Sequence, residues 1–146
     1  MNQRSPAVDD LVRRLIRHEA GGARDAESLA AAVDAACRKL SGELEMLVGR
    51  GGVAALLGRA LNLAGREFPL LRAARVRLDA PAALEGLREA LHGRGPAEAE
   101  DASAALLASL VGLLVNLLGE ELGLRPVMSV WPNLLPEAGA PDSREN

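Results

Sequence analysis

Apolar residues recur at intervals of three and four along most of this chain, the spacing that places them on one face of a helix. The first set is Val8, Leu11, Val12, Leu15 and Ile16. Ser5 and Pro6 before it suit a helix cap and a first helical position, and Gly21-Gly22 after it predicts the end. Asp25 can cap a second helix, with Leu29, Val33, Cys37, Leu40, Leu44, Leu47 and Val48 as one stripe against Asp34, Arg38, Lys39 and Glu45. Gly49 is its natural stop.

A third helix is expected to open at Gly51-Gly52 and to run through Val53, Leu56, Leu57, Ala60, Leu61 and Ala64. It ends near Phe68, because Pro69 disfavours helical geometry in the residue before it. Residues 70–80, with Leu70, Leu71, Val76 and Leu78, fit a short helix, an extended connector or both in succession, and are read as a connector. Asp79 and Pro81 mark a short fourth helix, with Leu84, Leu87 and Leu91 inward and Glu85, Arg88 and Glu89 outward, as far as Gly93-Arg94-Gly95-Pro96. The last helix is placed from Ala97 to Leu122. Glu98, Glu100 and Asp101 favour its N-terminus electrostatically, Gly123 caps its end, and Pro126, Pro132 and Pro136 break up the chain beyond it.

The pattern therefore predicts an all-α protein, an irregular bundle of about five helices around a long apolar C-terminal helix. Residues 1–136 form one helical domain, and the polar stretch 137–146 is expected to be a mobile tail. Composition agrees: of the 49% hydrophobic residues most are Ala and Leu, with no Tyr, one Phe and one Trp, a palette that favours helices. A net charge of −3 indicates no bulk attraction to nucleic acid. The single cysteine, Cys37, excludes an internal disulfide, and charges spread through the first twenty residues interrupt any secretory apolar core. A cytoplasmic location is expected.

Catalytic motifs fail on inspection. No Gly-x-Ser-x-Gly elbow occurs, and His18-Glu19 opens like a zinc-protease motif but meets Gly22 where the second histidine is needed. Glu89-x-x-His92 has the spacing of a di-metal bundle ligand pair but lacks a second pair. No cofactor or metal is expected. Gly49-Arg50-Gly51-Gly52 precedes a helix without the lysine of a Walker loop, so a turn outweighs a phosphate cradle. His18, with Arg14 and Arg17 near it, is the one residue placed to accept a phosphoryl group in a histidine phosphotransfer bundle. The helix ends too soon after it to present it as such bundles do, and a dipole-stabilised surface histidine is the stronger reading. Cys37 lies on an apolar stripe and should be buried and inert.

Charge is unevenly distributed. Residues 50–77 hold six arginines (50, 59, 66, 72, 75 and 77) against Glu67, whereas residues 97–122 hold Glu98, Glu100, Asp101, Glu120 and Glu121 with no base. Either the segments neutralise each other, or Arg50, Arg72, Arg75 and Arg77 meet an anion or partner. Nucleic acid is disfavoured because aromatic residues for base stacking are missing. The apolar run 102–118 is interrupted by Ser103, Ser109, Gly112 and Asn116 and is shorter than a usual membrane span, which favours a buried helix. Ala108 and Gly112 form a small-residue pair allowing close helix approach within the fold or across a homodimer. Trp131 either pins the chain end to the core or anchors a partner.

The segment from Leu47 to Ala60, Arg66-Glu67-Phe68-Pro69-Leu70-Leu71, Leu118-Gly119-Glu120-Glu121-Leu122 and Trp131-Pro132 together resemble a set of uncharacterised small all-helical bacterial proteins. That resemblance implies a helical fold and no activity. The functional expectation is a non-catalytic helical interaction or regulatory protein that self-associates, with a phosphotransfer or small-anion-binding bundle as the alternative. Its partner is expected to be a second copy or another protein rather than nucleic acid or a membrane.

Overall fold

The computed structural model describes residues 6–77 and 83–134. Ser5, Asp79, Pro81, Pro136 and the tail 137–146 lie outside the described residues. Within them the order is α1 (Pro6–Ala20), α2 (Ala26–Glu67), a 3₁₀ turn (Pro69–Ala73), β1 (Arg75–Arg77), β2 (Ala83–Glu85), α3 (Leu87–Leu91), α4 (Pro96–Leu118) and α5 (Glu120–Val130). The protein is all-α, and among the described residues β1 and β2 form a two-stranded antiparallel pair.

Local signals placed most helix starts. Asp25 caps α2 by accepting a hydrogen bond from the Ser28 backbone N–H at 3.0 Å. This is the arrangement expected of an aspartate at an N-cap. Leu11, Val12, Leu15 and Ile16 are the buried face of α1. The second and third expected helices are the two arms of α2, which bends where Gly49 adopts φ 77° and ψ 166°. Such a backbone suits glycine alone, and helix resumes at once from Arg50. Leu47, expected inward, is 56% exposed beside this bend.

Three expectations are corrected. The connector contains the 3₁₀ turn and β1, which pairs Arg75 with Glu85, Val76 with Leu84 and Arg77 with Ala83. Leu84 therefore belongs to a strand, and α3 starts only after Gly86. Three-residue strands are too short to show an alternating pattern, and Leu84 happens to continue the helical spacing of Leu87 and Leu91. The last expected helix divides at Gly119, where φ is 88°, and α5 comes next with Pro126 inside it. Gly123 is then no cap. A Cβ there would lie 2.7 Å from the Leu114 carbonyl oxygen and the Val115 Cα, so glycine is what lets α5 lie against the end of α4.

α4 is the axis of the fold. Every residue from Ala102 to Leu114 is buried, along with Ala99 and Glu100, and α1, α2 and α5 pack around it. Ser103 satisfies its hydroxyl by donating to the Ala99 carbonyl at 2.8 Å. The 23-residue α4 contains an 18-residue stretch of mean hydropathy 1.8, long and apolar enough to cross a bilayer, and 72% of that 18-residue stretch is buried inside the protein.

Candidate functional site

The burial of α4 decides the fate of two expected interface residues. Ala108 is fully buried and Gly112 is buried too, both enclosed by the chain's own helices. Enclosed in this way, they lie inside the fold and not on a surface that a second copy could reach. Trp131 is 4% exposed, and its indole Nε1 donates to Glu19 Oε2 at 2.8 Å. It pins the end of α5 to α1 rather than offering itself to a partner.

Glu19 is one of two nearly buried carboxylates that organise the basic residues of α1 and its neighbours. It also accepts from Lys39 Nζ at 2.6 Å. Burial opposes its ionisation, but the Lys39 ammonium and the Trp131 N–H outweigh that and hold its carboxyl below the ordinary glutamate range. The second is Glu100. Its side chain is 9% exposed and meets Arg24 at 3.0 Å, Arg17 at 3.4 Å and Arg13 at 3.9 Å. Arg13 also bonds Asp101 at 3.1 Å and Asp9 at 3.0 Å, and Arg14 pairs with Asp10 at 2.8 Å. Glu98 pairs with Arg94 at 3.8 Å.

The acids at the start of α4 are thus neutralised by α1 and by residues 24 and 94, not by the arginines of 50–77. His18 is exposed in the last turn of α1. Arg14 and Arg17 beside it pair with Asp10 and Glu100. Cys37 is 1% exposed, and burial, with Asp34 nearby, pushes its thiol up to about 12, which leaves no thiolate near neutral pH. Glu89 and His92 are both exposed, and among the described residues no three His, Cys, Asp or Glu side chains gather as metal ligands.

The arginines of 50–77 have a different setting. Arg75 pairs with Glu85 at 2.9 Å across the hairpin, and Arg77 is half-buried on the same strand. Arg50 is exposed at the bend of α2. Arg59, Arg66 and Arg72 are exposed and form no ion pair among the described residues. They line two adjoining depressions that share Gly58, Asn62 and Arg66. One also involves Arg59 and Leu63, and the larger, of about 430 Å³, involves Leu61, Gly65 and Arg72. Arg59 and Arg66 were visible in the sequence only as part of a basic run. What marks them is their spacing from Gly58, Asn62 and Gly65, which puts all five on neighbouring turns of one helix.

The third feature is apolar. Leu117 at the end of α4 is 62% exposed, and Leu122 and Met128 on α5 are 48% and 39% exposed. At about 100° per residue, Leu122 and Met128 flank Arg125 on the outer face of α5, with Glu121 between Arg125 and Met128 in projection. Glu120, Glu121 and Arg125 are exposed and form no ion pair among the described residues. The chain matches no known protein family, no curated protein and no solved structure.

Proposed function

We propose that this is a non-catalytic interaction or regulatory protein that self-associates through the outer face of α5. The observation that carries the reading is the exposure of Leu122 and Met128 beside uncompensated charges of both signs. Exposed apolar side chains grouped with polar neighbours mark contact surfaces. An antiparallel approach of two copies about a twofold at Arg125 sets Leu122 against the partner's Met128. The two Arg125 side chains then meet at the axis, and each also lies within a helical turn of the partner's Glu121, which offsets their repulsion. Such a face is self-complementary, as an isologous dimer requires.

An α5 of 11 residues is about 16 Å long. The contact is therefore smaller than the ~1,600 Å² of a standard stable interface, and association is weak and concentration-dependent. A cytoplasmic setting without a cofactor goes with this reading, on the strength of one unpaired cysteine and the lack of a catalytic motif. The resemblance to small helical bacterial proteins is compatible with it and adds no activity.

Light scattering over a concentration series tests the proposal. The wild type should shift from monomer toward dimer up to on the order of 0.1 mM, as expected for a contact of this size. Glu121→Arg should weaken the dimer, and Glu121→Arg combined with Arg125→Glu should restore it. A wild type that stays monomeric, or a charge swap that restores nothing, overturns the α5 contact.

A further inference from the structure

The geometry points to a binding site for a small ligand carrying a diphosphate or longer phosphate chain, in the groove lined by Arg59, Asn62, Arg66 and Arg72. Three independent features of this face converge. First, it holds three exposed guanidinium groups with no carboxylate paired to any of them among the described residues. The contrast with Arg13, Arg17 and Arg24, which converge on one glutamate, shows that this chain can neutralise its arginines where folding brings an acid near.

Second, the groove has a defined shape. After Pro69 the chain turns back along α2, so that Arg72 Cγ lies 3.4 Å from where a Cβ on Gly65 would stand, and Val76 Cγ2 lies 4.0 Å from the same position on Gly58. The turn therefore forms one wall and the exposed side of α2 the floor. It is an open depression of about 430 Å³, which a small anion can enter directly from solvent.

Third, Gly58, like Gly42 and Gly51 of the same helix, is not required by close packing, and unlike them it lines the groove itself. It lies in the interior of a helical arm, where glycine costs roughly 0.5 to 1 kcal/mol against alanine. A Cβ there would make only an ordinary contact with Val76. The missing side chain leaves open the depression that Arg59, Asn62 and Arg66 surround.

Ligand class is set by charge and donor chemistry. Guanidinium groups present paired N–H donors that match phosphate oxygens, and the Asn62 amide adds a neutral donor. One phosphate monoester carries about −1.5 to −2, less than three guanidinium charges, whereas a diphosphate matches them. Phe68, the nearest aromatic residue in sequence, packs partly buried against the core, so no ring is presented for stacking a nucleic-acid base.

Calorimetric titration of the full chain with inorganic diphosphate, in low salt and again at physiological salt, tests the site. Binding should be measurable below about 1 mM and should weaken by about tenfold in Arg66→Gln and in Arg59→Gln, each losing one charge-assisted contact. Arg50→Gln, outside the groove, should bind like the wild type. Gly58→Leu should weaken binding while its thermal midpoint stays at or above that of the wild type, separating occlusion of the groove from loss of fold. No heat with diphosphate, equal weakening in Arg50→Gln and Arg66→Gln, or binding confined to single-stranded nucleic acid or anionic vesicles overturns the proposal. Because α5 carries none of these residues, failure here leaves the dimer test unaffected, and the reverse also holds.

Discussion

Two groups of arginines in this protein have opposite fates. At the start of α4, Arg13, Arg17 and Arg24 surround Glu100, whose carboxylate is almost entirely withdrawn from water. Along the second arm of α2 and the turn after it, Arg59, Arg66 and Arg72 face solvent over a groove and pair with no acid among the described residues. The residue type is the same, and the difference is what the fold brings opposite. A carboxylate that must be buried needs cations, and α1 and Arg24 supply them, so those arginines are structural. Arginines that nothing buries are free to meet something outside the chain.

The largest effect should come from the first group. Glu100→Gln removes the charge that three guanidinium groups share, and hydrogen bonds to charged partners contribute about 1.5 to 3 kcal/mol. The arginines are 30% to 66% exposed and can rehydrate, which keeps the expected loss near about 2 kcal/mol in a urea melt rather than the larger cost of stranding a buried charge. A variant as stable as the wild type would erase the distinction between the two groups.

Glu19→Gln should cost less, about 1 kcal/mol at neutral pH, because it retains an acceptor for the Trp131 N–H and loses chiefly the Lys39 ion pair. It also carries a pH signature. The folded carboxyl titrates below its ordinary value of 4.5, so its contribution is fully present above that pH and is lost as pH falls through the folded value. Acid unfolding followed from pH 6 to pH 2, about the span of such titrations, should show a shallower loss of stability in the variant than in the wild type. Identical slopes would mean that Glu19 is not held ionised by its partners.

The smallest effect is predicted for the second group. Replacing Arg59, Arg66 and Arg72 together by Gln should change stability by no more than about 0.5 kcal/mol, the usual range for surface positions. Any change should favour the variant, since three like charges repel. A loss of more than about 1 kcal/mol would place these side chains among the supports of the fold and remove the contrast with Glu100.

Local chemistry made much of the architecture legible. The apolar spacing of Leu11 to Ile16, the cap at Asp25, the bend at Gly49 and the breaker at Gly93–Pro96 all depend on neighbours within a turn or two, so the helical class and most helix starts can be read from the residues alone. The candidate site was legible only as a basic run. Its arginines could be counted, but the choice of Arg59 and Arg66 over Arg50 depends on how the turn after Pro69 folds back on α2.

The sequence by itself therefore determined the set of helices and the apolar character of α4, since backbone preference and side-chain period are short-range properties. Only the tertiary structure decided which charges cancel, because the bonds from Arg13, Arg17 and Arg24 to the acids of α4 join residues 76 to 88 positions apart. It likewise decided that Ala108 and Gly112 lie inside the protein. An apolar helix must be covered on every side, but nothing local states whether its own chain or another copy does the covering. Here α1, α2 and α5 enclose it, while the outer face of α5, the arginine groove of α2 and Met46 with Leu47 at the α2 bend stay open to solvent.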